Sequence, residues 1–165
     1  MNLDFLIALP EIVLLAGTCA LMLVDLRVGG EDRRVTWIMA QCVLLACAVS
    51  TLVVLFGSVT GREALGEPGS IAVLYGYNRM FVADLMSHVL KLAAYGTVSL
   101  MLVYSRQYLL DRGLLRGEFV SLLLFALLGV MIMSSASSFL TLYLGLELLS
   151  LCLYAMVALN RDSAA

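Results

Sequence analysis

At 165 residues, 62% hydrophobic and 13% charged, with a mean hydropathy of +1.02, the chain is too apolar for a soluble domain and reads as an integral membrane protein. A net charge of −2 offers no basic surface to nucleic acid. The sequence holds no glycine-rich dinucleotide turn, P-loop, HExxH or EF-hand pattern, so no soluble nucleotide or catalytic site of those kinds is written in it.

The first apolar run spans about 5–26. It is too long for the apolar core of a signal peptide, has no basic lead-in and no small-residue cleavage site, so it is expected to stay as a membrane helix. Asp4, Pro10 and Glu11 stand at its start. Proline is tolerated there because the first N–H groups of a helix are unpaired anyway. An acid in the first turns suits the helix dipole, which is the ordinary explanation of Glu11; a transport role is the other. The loop RVGGEDRR at 27–34 leads to a second span at 35–57. Residues 58–78 are the one extended polar, glycine-rich stretch, expected to be a loop with a short extended segment at 71–75.

A third span is expected at 80–104, a polar connection at 105–118 and a fourth span at 119–133. SSASS at 134–138 is a short break, the fifth span runs 139–159, and NRDSAA leaves the membrane. The fold class is therefore all-α: a polytopic membrane protein in one membrane domain of five helices, each near the roughly 20 residues that cross the hydrocarbon core.

The arginines set the expected orientation. Arg27, Arg33, Arg34, Arg106, Arg112, Arg116 and Arg161 fall on one side of the alternating spans, against Arg62 and Arg79 on the other. The positive-inside rule then puts the N-terminus outside and the C-terminus in the cytoplasm.

Charged residues within the spans are the candidate functional groups. The third span carries Asp84, His88, Lys91, Tyr95 and Ser99. Steps of three and four residues put all five on one helical face. Lys91 is the only lysine and His88 the only histidine, and Lys91 is expected near mid-span. A line of titratable groups running inward suits a proton wire or a water-filled crevice. The alternative is a polar seam joining this helix to a neighbour, with Asp84 and Lys91 neutralising each other. Two helical turns, about 10 Å, is long for such a pair.

The fifth span has its own stripe: Tyr143, Glu147, Ser150 and Tyr154. A carboxylate at mid-membrane costs roughly 2.5–3.5 kcal/mol on insertion scales. Glu147 is expected to be flanked by hydroxyls able to hydrogen-bond it, opposite a face of Leu, Cys and Met. The alternative is a neutral glutamic acid that holds helices together. Cys19, Cys42, Cys47 and Cys152 lie in apolar runs with no CxxC, and are expected to be small buried packing residues rather than metal or redox ligands.

Three stretches carry a resemblance: LPEIVLLAGTCALMLVDL at the start, GYNRMFVADLMSHVLK at span three and LGLELLSLCLYAMVAL at span five. In order and spacing they resemble the subunit N family of the proton-translocating NADH:quinone oxidoreductase, respiratory complex I, over nearly the whole chain. The resemblance implies that Glu147 matches the family's essential glutamate on the fifth helix. In the family that glutamate pairs with a lysine on the seventh helix and couples proton movement to redox chemistry elsewhere in the complex. Lys91 falls where many sequences that resemble this family would carry a lysine; from the two polar stripes, His88, Asp84, Tyr143 and Ser150 stand beside Glu147 and Lys91 as candidate proton-translocation residues.

The resemblance further implies a non-redox subunit of a translocase in a bacterial inner membrane, whose partners are the other membrane-arm subunits and the lipid bilayer. No cofactor would be bound by this chain; NADH, FMN, iron–sulfur clusters and quinone would belong to other subunits. A family member has about fourteen spans of membrane length. The chain is therefore expected to be an N-terminal portion that does not pump alone. Two readings remain beside this one: a subunit of a Mrp-type or hydrogenase-linked cation/proton antiporter, and a membrane scaffold with no transport role. The scaffold reading requires the polar stripes of spans three and five to face and satisfy each other.

Overall fold

The computed structural model describes residues 5, 7–28, 33–63, 73–111 and 117–159. Among them, five helices carry the fold: α1 (Leu9–Val28), α2 (Arg33–Glu63), α3 (Leu85–Asp111), α4 (Gly117–Ser134) and α5 (Phe139–Leu159). Each contains a stretch long and apolar enough to cross a membrane: Leu9–Arg27, Val35–Gly57, Leu85–Gln107, Gly117–Ser134 and Phe139–Leu159. The chain is thus an all-α, multi-pass membrane protein with five spans among its described residues. Residues 1–4, 6, 29–32, 64–72, 112–116 and 160–165 lie outside the described residues. With them go Asp4, Arg112, Arg116, Arg161 and the 71–72 part of the expected extended segment.

Two span starts differ from the sequence reading. α1 proper begins at Leu9, after a turn at Ala8 that separates it from the helical Phe5 and Ile7. Pro10 is the reason: it has no N–H to bond a carbonyl four residues back, so it sits easily at a helix start and poorly inside one. The third begins at Leu85 rather than Met80, because the chain before it is a hairpin. Strands β1 (Leu74–Gly76) and β2 (Phe81–Ala83) pair antiparallel, with Leu74 opposite Ala83 and Gly76 opposite Phe81. Tyr77, Asn78 and Arg79 in the turn all take positive φ, at 52°, 59° and 67°. Left-handed backbone costs a side-chain-bearing residue roughly 1–2 kcal/mol, so the surrounding contacts must hold this turn in place.

Those contacts come from the break between α4 and α5. The Val82 N–H donates to the Ser135 carbonyl (2.9 Å), the Ser137 N–H donates to the Met80 carbonyl (3.1 Å), and Phe81 bridges Ala136. The SSASS break thus lies along β2, joined to it by these bonds and by a single isolated bridge at Ala136. The caps at this end are made by side chains. The Ser87 N–H donates to Asp84 Oδ1 (2.8 Å) and the Asp84 N–H to Ser87 Oγ (3.1 Å), a reciprocal cap on α3. Ser138 Oγ accepts from the Thr141 N–H (3.2 Å) at the start of α5.

α4 is the central helix. It packs against α1, α2, α3 and α5. Most of its middle, from Val120 to Met131, is buried; Leu122, Phe125 and Val130 form its more exposed edge. The main apolar core joins Leu14 and Leu21 of α1, Leu44 and Cys47 of α2, Tyr95 and Leu102 of α3, and Leu124 and Met131 of α4.

α5 packs chiefly against α4. The two backbones approach closely at Gly129 and Gly145. A methyl group built on Gly129 would lie 2.8 Å from the Gly145 carbonyl oxygen, and one on Gly145 would lie 2.9 Å from the Gly129 carbonyl oxygen. Small residues at the crossing are what membrane helices use to bring backbones together, where lipid gives no hydrophobic drive for association.

The cysteines divide. Cys47 and Cys152 are buried as expected, whereas Cys19 and Cys42 are exposed on the outside of the bundle; all four are free thiols. A thiol behaves as a small apolar group, so a lipid-facing position suits it as well as a packed one.

Candidate functional site

The polar stripe of α3 faces into the bundle. At its far end Ser99 Oγ donates to Gln41 Oε1 of α2 (2.6 Å), and Gln41 Nε2 donates to the Ser99 carbonyl (3.3 Å). One turn back, the Tyr95 hydroxyl meets the Thr51 hydroxyl of α2 at 3.2 Å. These two positions make a polar seam between α2 and α3, satisfied within the helices.

Nearer the hairpin the stripe changes character. Lys91 is 1% exposed and His88 2% exposed. Lys91 Nζ lies 2.5 Å from Glu11 Oε1 of α1, and Glu11 is itself 8% exposed. The lysine's partner is therefore Glu11, not Asp84. Asp84 is occupied by the α3 cap, with its Oδ1 on the Ser87 N–H. Glu11 does stand in the first turn of α1, where it suits the helix dipole. Its burial against a cation adds a second role that the dipole does not supply.

Lys91 also sits closer to the hairpin end than mid-span. It is six residues from the first residue of α3, Leu85, or about 9 Å along the axis. Its Nζ lies 5.3 Å from the centre of the Phe81 ring in β2, within reach of a cation–π contact. Phe81 is buried with Ile7 and Ala83 in a small apolar cluster at this end of the bundle.

The α5 stripe faces the other way. Glu147 is exposed, as are Tyr143 at 52% and Tyr154 at 72%. Ser150 is half-buried, and its hydroxyl donates to the Leu146 carbonyl of its own helix (2.8 Å) rather than to Glu147. Among the described residues Glu147 has no ion-pair or hydrogen-bond partner. The geometry follows from the glycine crossing. Gly145 faces α4, and Glu147 is two residues on, about 200° around the helix. The stripes of α3 and α5 therefore do not face each other.

Among the described residues, no group of three or more His, Cys, Asp and Glu side chains could hold a metal ion. Five membrane-length helices, a buried lysine–glutamate pair and a carboxylate on an open flank define a multi-pass membrane protein with ionisable groups inside its spans.

Comparison with known proteins narrows that class. The chain is 48% identical over 161 residues to the NADH-quinone oxidoreductase subunit N of Nitrosomonas europaea, covering 98% of this chain and 31% of that protein. It is 44% identical over 167 residues to the subunit N of Herminiimonas arsenicoxydans, covering 99% of this chain and 31% of that protein. The subunit N of Methylovorus glucosotrophus is 48% identical over 160 residues, covering 97% and 30%. No family model matches the chain. By these similarities the chain belongs to the NADH-quinone oxidoreductase subunit N family, and it spans about 31% of the length of those curated relatives.

Proposed function

We propose that this chain is the N-terminal part of a proton-translocating membrane subunit of NADH:quinone oxidoreductase, in which Glu147 and Lys91 carry protons and the complex couples that movement to electron transfer from NADH to quinone. Asp84 seats the start of α3, His88 stands beside Lys91, and Tyr143 and Ser150 share the helix of Glu147. The observation that carries the reading is the match to subunit N over 98% of the chain. The exposed carboxylate of Glu147 agrees with it. A mid-span acid on an uncovered flank is costly in lipid, so the flank suits a protein with further helices to place there. A self-contained scaffold would bury that acid, and the two stripes would meet.

On this reading the N-terminus faces the outside of a bacterial inner membrane, as the arginine distribution favours. The chain's own residues move and hold protons, and the redox groups belong to partner subunits of the membrane and peripheral arms. The test is purification of the complete protein, tagged, from its native membrane. Co-purification of NADH oxidation coupled to quinone reduction is expected. A preparation of the intact assembly that lacks this activity contradicts the reading.

A further inference from the structure

We propose that Glu11 and Lys91 form a second proton-exchange site, at the hairpin end of the bundle and separate from Glu147. The inference rests on the functional reading above and adds a site to it.

The first observation is where unused hydrogen-bonding capacity lies. Among the described residues, the buried side-chain nitrogen and oxygen atoms with no hydrogen-bond partner belong to four residues: both carboxylate oxygens of Glu11, Lys91 Nζ, His88 Nδ1 and Ser135 Oγ. Glu11 and Lys91 touch only as an ion pair. His88 precedes Lys91 by three residues on the same face of α3. Ser135 belongs to the segment whose carbonyl holds β2, the strand that carries Phe81 over Lys91. The unused capacity is thus gathered at one end of the molecule.

A pair serving only to fasten α1 to α3 would gain from further hydrogen bonds, because two buried charges repay their desolvation only when their remaining lone pairs and protons are satisfied. The seam a turn or two away shows that this bundle does satisfy such groups: Tyr95 has Thr51, and Ser99 has Gln41. A site that takes up and releases protons needs the opposite, lone pairs and N–H groups left open to a donor and an acceptor.

The other groups around the pair are occupied or remote. Cys47 Sγ of α2 reaches the Pro10 carbonyl of α1 at 3.9 Å. The Tyr95 hydroxyl is held by Thr51, and Asp84 is held by the Ser87 N–H. The one charged residue described on α4 is Glu118, in its first turn at the opposite end. In the hairpin, Arg79 lies over the Tyr75 ring. Glu147 is on the outer flank of α5. His88 is the remaining titratable neighbour with an open nitrogen.

The elementary step is a proton transfer. One N–H bond of the Lys91 ammonium breaks and one O–H bond forms on the Glu11 carboxylate, which converts the ion pair to a neutral amine and acid without net charge. The acid can then release its proton and the amine can accept another through the His88 side. Phe81, Ile7 and Ala83 cover this end with apolar surface, which limits direct access of bulk water.

The test uses the complete protein in its assembled complex, in sealed membrane vesicles. The double variant Glu11→Gln, Lys91→Gln removes both charges together and leaves neither one buried alone. Assembly with continued electron transfer but fewer protons moved per electron is expected. An assembled double variant with the wild-type proton yield overturns the proposal. If the double variant does not assemble, Glu11→Asp decides: it keeps the acid one methylene shorter, and a displaced pH profile of proton movement is expected. An unchanged profile and yield overturn the site. A wild-type complex that moves no protons overturns the functional reading and this inference with it, whereas an active wild type with unaffected variants overturns this inference and the role given to Lys91, and leaves the subunit reading and the role of Glu147 standing.

Discussion

Lys91 of α3 and Glu11 of α1 meet in an ion pair 2.5 Å apart, both almost wholly buried. The two helices belong to the first and third spans, so they cross the membrane in the same direction. Residues early in each therefore lie at the same end of the bundle.

Breaking that pair by removing one partner leaves the other charge buried alone. Such losses cost about 3–5 kcal/mol. Lys91→Met and Glu11→Gln as single substitutions are each expected to lower thermal stability by about that amount. The double substitution is expected to recover most of the loss. A double-mutant cycle on unfolding temperature or on assembled yield checks this, and additive losses would contradict it.

Gly145 has no room for a side chain. A methyl group there would lie 2.7 Å from Met133 Cγ and 2.9 Å from the Gly129 carbonyl oxygen. Gly145→Ala is expected to push α5 off α4 at a cost of about 1–3 kcal/mol, the usual range for overpacking. Gly96 on α3 is the control, since a methyl group there meets nothing within 4 Å. Gly96→Ala is expected to be neutral or to stabilise by roughly 0.5–1 kcal/mol through backbone entropy. Equal thermal stability of the two variants would contradict the close crossing.

Asp84 separates a capping role from a proton-carrying one. Asparagine caps a helix about as well as aspartate, whereas alanine gives up about 1 kcal/mol. Asp84→Asn is expected to keep both stability and proton movement, and Asp84→Ala to lose stability. Loss of proton movement in an assembled, stable Asp84→Asn variant would show that its titration matters.

Much of the fold is legible in the sequence because lipid imposes it. Every backbone group in the hydrocarbon must be bonded within the chain, so long apolar runs become helices, and the fifth span covers the residues its apolar run marks out. The starts of the first and third spans are less legible, since Pro10 and the hairpin act locally against a continuous apolar run. The Glu11–Lys91 pair escapes a reading made along one helix at a time. The signal that finds it is depth: two opposite charges near the starts of two spans that run the same way. The direction of Glu147 is also hard to read, because α5 is apolar on nearly every side. Gly145 is the available clue, for a glycine at a helix crossing fixes which face is inside, and Glu147 lies about 200° from it.

The most direct test of the account is Glu147→Gln in the complete protein, with proton movement measured per electron transferred in sealed vesicles. The substitution keeps size and hydrogen-bonding shape and removes the titratable acid. An assembled complex that still transfers electrons but moves markedly fewer protons is the predicted result. An assembled variant with the wild-type proton yield would contradict the role given to Glu147.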